Sequence, residues 1–284
     1  MRACVLLCLI TLVLVHVTRA NAQDGRFDGW YQIEVIVFER RTADGEELWP
    51  KDITLRYPLN WQVLKDPEAL PEQQPIASSE PLTPAVSTAP AVDLQRMPFY
   101  TLPSDNRVLN GERRRLDARP ELSVLFHEAW RQPLSAAEVT PSVLIFGGER
   151  YDAHQRLEGS LHIYVSRYLH VQTNLWLSNF QTNAGQMHTP WPEIPLNPME
   201  KLRQLEQLNL ATTPPLSFSA APSQQWQALE WETSLPEFLA AAYVPTRIVT
   251  LQQSRRMRSN ETHYLDHPHL GLIVRISPID RSSE

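Results

Sequence analysis

Cysteine is nearly absent from the 284-residue sequence: Cys4 and Cys8 are its two thiols, and both stand among the first ten residues. They fall within a leader, so the rest of the chain has neither a disulfide framework nor a thiolate nucleophile. Stability must then come from a packed core, and 42% hydrophobic residues suffice for one or two domains. Glycine is scarce as well, with nine residues, about half the usual share. Their positions (25, 29, 45, 111, 147, 148, 159, 185 and 271) form neither G-x-G-x-x-G nor a Walker loop, which excludes nucleotide binding through those motifs. Positive charge is in the minority, 26 Lys and Arg against 32 Asp and Glu. Without an extended basic stripe, an acidic exported chain is no nucleic-acid binder. Past the leader no stretch reaches the roughly 18 uncharged apolar residues of a membrane span.

The leader, MRACVLLCLITLVLVHVTRANAQ, has Arg2, an apolar run to Val17, and the small-residue pattern Ala20-Asn21-Ala22. It predicts a secretory signal peptide cleaved after Ala22. A lipoprotein signal fits less well, because Cys8 comes early and the bulky Leu7 precedes it. Cleavage leaves residues 23–284 and removes Arg2 and Arg19, taking the formal net charge from −6 to −8.

Proline, in contrast, is plentiful at 24 residues. Six fall in residues 66–95, DPEALPEQQPIASSEPLTPAVSTAPAVDLQ, which predicts an extended, mobile insertion. A second proline-rich region covers 189–222 and encloses a helix over 197–210. Asn197 caps it, Pro198 takes the first position, and Leu202, Leu205 and Leu208 share a face. Helical patterns also lie in 104–119 and parts of 224–242. The rest alternates as strands: 30–41, 121–133, a hairpin in 157–180 bending near Arg167–His170, and a pair formed by 247–259 and 269–279 joined through NETHYLDHP. The balance predicts an α+β fold, mainly antiparallel sheet with a few helices, in which residues 23–284 are one domain and the proline-rich stretches are insertions.

WYQIEVIVFER holds the sharpest anomaly. Tyr31, Ile33, Val35 and Val37 take one parity, Ile36 and Phe38 the other, so both faces are apolar, yet Glu34 sits at the centre. A carboxylate there needs a partner, and a cross-strand arginine such as Arg167 or Arg256 is the expected one. Chemistry elsewhere is sparse. No H-E-x-x-H and no G-x-S-x-G occurs. His263, Asp266, His267 and His269 cluster in HYLDHPH, but Pro268 breaks the helix their spacing would need as a metal site, and a polar hairpin loop is the expectation. Arg167, Arg255, Arg256 and Arg258 concentrate positive charge. They make either an ordinary solvated strand face or a face that holds carboxylates through forked hydrogen bonds. Trp130 and Trp176 are expected in the core.

Four blocks, WYQIEVIVFER, SVLFHEAWRQP, GSLHIYVSRYLHV-x-x-NLWL and SRRMRSNETHYLDHPHLGLIV, together resemble the CsiV family of peptidoglycan-binding periplasmic proteins of Gram-negative bacteria. The resemblance implies a periplasmic, non-enzymatic factor without a cofactor. It also implies partners: peptidoglycan, and a class A penicillin-binding protein acting with its outer-membrane lipoprotein activator LpoA. Sugar faces stack on aromatic rings and stem-peptide carboxylates suit arginine forks, so Arg167, Tyr168, His170, Arg255, Arg256 and Arg258 are the expected binding groove, with Glu34 behind it. Two alternatives stay open: a wall hydrolase using a carboxylate such as Glu34, and a protein-interaction module without glycan affinity.

Overall fold

The computed structural model describes residues 29–41, 53–69, 92–185, 191–211 and 241–279. The predicted leader, most of 66–95, parts of 189–222 and nearly all of the helical pattern in 224–242 lie outside the described residues. The elements run β1 (Trp30–Arg40), β2 (Trp61–Gln62), a 3-10 turn (Ser104–Asn106), α1 (Asn110–Asp117), β3 (Leu122–Pro133), β4 (Ser142–Tyr151), β5 (His154–Val165), β6 (Leu169–Thr182), α2 (Pro198–Ala211), β7 (Tyr243–Met257), β8 (Thr262–Asp266) and β9 (Leu270–Pro278). They build two sheets, ordered β3-β1-β9-β8 and β2-β4-β5-β6-β7. Every strand pair is antiparallel except β2 with β4. This is the α+β, mainly antiparallel class that the strand patterns predict.

The two sheets face each other across one apolar cluster. Ile33, Val35, Val37, Trp130, Leu272, Val274 and Ile276 come from the first sheet, and Ile145, Leu157, Leu161, Ile163, Val171, Leu175 and Leu251 from the second. Fully burying each such side chain contributes about 1.5–3 kcal/mol. The other parity of β1 is not wasted on solvent: Ile36 and Phe38 pack with Leu109, Leu116, Leu122 and Val124 beneath α1. Hence β1 is apolar on both faces because it is a central strand with a sheet on one side and a helix on the other. Phe38 also lies over Gly271, where an added Cβ would stand 2.3 Å from the ring, so β9 must carry glycine at that point.

Several expectations hold in detail. The hairpin turns over Ser166–Tyr168, between Val165 and Leu169. Asn197 Oδ1 accepts the Met199 N–H at 2.9 Å, capping α2. Trp130 and Trp176 are fully buried. The 104–119 helical stretch is shorter than predicted, a 3-10 turn followed by α1.

Two expectations are corrected. Residues 247–259 do not pair with 269–279. β7 pairs with β6, Leu251 facing Leu175 and Val249 facing Leu177, while β9 lies in the other sheet between β1 and β8. The reason is in the burial: β9 needs cover on both faces, which a central position next to β1 gives. The stretch NETHYLDHP is likewise not all loop, since Thr262–Asp266 is strand β8 with Leu265 in the core. Strand β4 is a further element the alternation did not mark. Its run Val143–Phe146 is continuous because Val143 and Ile145 face the sheet interface while Phe146 meets Tyr57 on the outer side.

Candidate binding ledge on the outer sheet face

The end of the five-stranded sheet nearest the β5–β6 turn presents its outer face as a ledge. The register places Tyr164 opposite His170 and His170 opposite Arg256, so three strands contribute one row. The Tyr164 and His170 rings stack at 5.1 Å with 9° between planes. From the turn, Tyr168 folds over this row: the Arg256 guanidinium carbon lies 4.6 Å from its ring centroid and that of Arg167 lies 5.6 Å away. Tyr168 remains 44% exposed, so the aromatic ring has two cations within reach yet still faces solvent. Among the described residues neither arginine has a carboxylate partner.

Two further rows extend the ledge. Gln172 lies between His162 and Ser254, and Asn174 lies between Ser160 and Gln252. Gln172 Nε2 donates to the Tyr164 hydroxyl at 3.2 Å, and Gln252 Nε2 to Asn174 Oδ1 at 3.1 Å. With two residues per row, the three rows span about 14 Å along the strands, and the last row is partly covered, with Ser160 buried and Asn174 Nδ2 donating to the Arg56 carbonyl at 2.8 Å. Beyond them Trp176, Ile194 and Ile248 lie under Ile53, Leu55 and Tyr57, which closes that end of the face.

The structure therefore brings together Arg167, Tyr168, His170 and Arg256, and it separates the remaining predicted residues from them. Arg255 has the opposite parity and donates Nη1 to the Tyr264 carbonyl at 3.1 Å, satisfying the edge of β8 together with the Gln253 amide on the Asp266 carbonyl. Arg258 lies beyond the end of β7, 3.6 Å from Glu261. Alternation alone puts Arg256 and Arg258 on one side, but the strand stops at Met257. Tyr164, Gln172 and His162 are ledge residues that the prediction omits. Their signal is the hairpin register, which sets Tyr164 beside His170.

Glu34 belongs to a different surface. Its side chain lies on the α1 side of the other sheet, 2% exposed, and no arginine reaches it. Instead Oε2 accepts the Val108 N–H at 2.6 Å, and Oε1 accepts the Leu109 N–H at 2.8 Å and lies 2.8 Å from His127 Nε2. The expected arginine partner is thus replaced by two backbone donors at the entry to α1 and an imidazole from β3. A carboxylate with every donor in place and no path to solvent seats a helix; it does not support the ledge.

The histidines of HYLDHPH are also placed. His267 and His269 stand in the β8–β9 turn with rings 6.3 Å apart, and His269 Nδ1 is 2.6 Å from the Arg247 guanidinium. His263 Nε2 accepts the Arg258 N–H at 3.3 Å. Among the described residues no group of three His, Cys, Asp or Glu is disposed to hold a metal ion. Nearby, Tyr264 stacks parallel to Phe38 and donates its hydroxyl to Asp266 Oδ1 at 2.6 Å, and Arg40 bonds both. The Tyr264 hydrogen bond, followed by the Arg40 charge, holds the Asp266 carboxyl below its usual range. Burial, then that same bond to Asp266, pushes the Tyr264 hydroxyl up to about 12. A tyrosine that keeps its proton longer when folded adds stability that is complete below about pH 10, the unfolded value, and is lost as pH rises through the folded one. Tyr264→Phe should accordingly flatten the fall in thermal midpoint between about pH 10 and pH 12, read by comparing midpoint against pH for the two proteins.

Fold and ledge together describe a two-sheet protein whose five-stranded sheet carries an open aromatic and cationic face. The chain belongs to the CsiV family of peptidoglycan-binding proteins, whose family model matches residues 4–279. Comparison with curated proteins and with solved structures gives no match. No helix among the described residues is long and apolar enough to cross a membrane.

Proposed function

We propose that the protein is a non-enzymatic periplasmic factor that docks on peptidoglycan through the Tyr168 ledge and supports wall synthesis. In this reading residues 23–284 act as one unit after removal of the leader. The partners are a class A penicillin-binding protein and its lipoprotein activator LpoA, as family membership suggests. The observation that carries the reading is the Tyr168 ring with Arg167 and Arg256 against it beside the Tyr164–His170 stack. Rings stack on the apolar faces of N-acetylated sugars, and unpaired guanidinia hold stem-peptide carboxylates. Against the hydrolase alternative stands the burial of Glu34, the carboxylate named for it, with both oxygens hydrogen-bonded. The test is co-sedimentation of the purified protein with sacculi while released muropeptides are followed in the same tube. Pelleting without release is expected. Release would make the protein an enzyme, and absence of pelleting would leave a protein-interaction module.

A further inference from the structure

At the opposite end of β5 from the ledge, the two sheets part around a cavity of about 280 Å³. Its walls come from the end of β1 (Glu39) and the residue just past it (Arg41), the start of β3 (Ser123, Val124 and Leu125) and the β4–β5 hairpin (Gly148, Glu149 and Arg156). A β-bulge between Gly147 and Arg150 shapes it. Gly148 adopts φ +76°, and a Cβ there would stand 3.0 Å from that of Arg156. Such a bulge re-aims the neighbouring side chain. Here the Arg156 guanidinium reaches the other sheet, with Nη2 2.5 Å from Glu39 Oε1, and also lies 3.3 Å from Asn179 Oδ1 on the neighbouring strand β6 of its own sheet.

The charges fall into two tiers. Glu39 and Arg156 are the inner one, an ion pair with side chains 10% and 23% exposed. The rim carries separated charges. Arg41 donates Nη2 to the Ser123 hydroxyl at 3.0 Å and has no carboxylate partner among the described residues. Glu149, 69% exposed, has two long contacts on Oε2, the Arg156 guanidinium at 3.4 Å and the Tyr151 hydroxyl at 3.3 Å. Val124 and Leu125 add apolar wall. The matching ligand is small, with a carboxylate for Arg41 and Ser123, an ammonium for Glu149 and a short aliphatic stem between it and the rest of the molecule.

We propose that this mouth binds the α-amino-acid zwitterion at the free end of diaminopimelate in peptidoglycan stem peptides. The inference rests on the wall-binding reading above and adds a second contact to it. From Arg156 to Tyr164 is eight residues of β5, about 26 Å. A polymer that offers many stem peptides can occupy both places at once, and linked contacts on one polymer multiply in strength.

Titration calorimetry of the purified protein with a muramyl tripeptide ending in meso-diaminopimelate tests it. The control is the same tripeptide ending in lysine, which keeps the ammonium and lacks the carboxylate. The diaminopimelate probe should bind at least about tenfold more tightly, and Arg41→Ala and Glu149→Gln should each weaken it by about tenfold or more. Both side chains lie on the rim, so circular dichroism should show the variants folded. Equal affinity for the two tripeptides, for free alanine, or for wild type and variants would overturn the assignment. So would no tripeptide binding by a protein that still pellets with sacculi, an outcome that leaves the wall reading intact. Failure to bind either tripeptide together with failure to pellet with sacculi would remove the two readings together.

Discussion

Glu34→Gln should lower the midpoint of thermal unfolding by about 5–15 °C. The carboxylate accepts from three donors, two of them backbone N–H groups of residues 108 and 109, and 2% of the residue is exposed. Glutamine keeps one acceptor oxygen and turns the other position into a donor facing donors. At least one buried N–H then goes unpaired, at about 1–3 kcal/mol, and the charge assistance on the others disappears. A total of about 2–4 kcal/mol corresponds to such a shift, since a chain of this size loses about 2–4 °C per kcal/mol. Glu34→Ala should do somewhat more, because it also opens a cavity beneath α1. The comparison that isolates the role is sacculus binding at a temperature where the variants stay folded: it should equal wild type. Unmoved midpoints would mean that α1 is seated by Leu109 and Leu116 packing alone, and impaired binding in folded protein would return Glu34 to the binding machinery.

Glu34 also marks where sequence reasoning stops. That a carboxylate inside a doubly apolar strand needs buried partners is legible, because alternation identifies the strand and desolvation makes an unpaired charge costly. Which groups supply the partners is not, since Val108 and Leu109 arrive from 74 and 75 positions away through tertiary packing. The same boundary runs through the rest of the chain. Local signals hold: the turn over residues 166–168, the Asn197 cap, the inward Ile33, Val35 and Val37. Pairing between distant strands does not follow from them. β7 and β9 are each good strands, and nothing local says that β7 joins β6 while β9 slides in beside β1. For the ledge, the opposed directions of Arg255 and Arg256 are readable from parity, whereas the exclusion of Arg258 depends on the strand ending at Met257.

That exclusion yields the most discriminating experiment on the ledge. Arg256→Ala combined with Tyr168→Ala should reduce affinity for sacculi by about thirtyfold to a hundredfold. Removing the stacked ring and the cation above it deletes a sugar-stacking surface and a carboxylate donor, worth together about 2–3 kcal/mol. The fold should survive, because Tyr168 is 44% exposed and Arg256 lies on the solvent side of β7. Arg258→Ala, two residues along in the same basic cluster but paired with Glu261, should leave affinity unchanged. A purely electrostatic attraction to the wall would instead respond to all of these arginines alike, and would vanish at high salt. The ring makes the difference: Tyr168→Phe keeps the stacking face and should retain nearly all binding, while Tyr168→Ala alone should lose several-fold and persist in doing so at high salt. If the double variant pellets as wild type does, the ledge is not the glycan contact, and the cavity at the other end of β5 becomes the place to look.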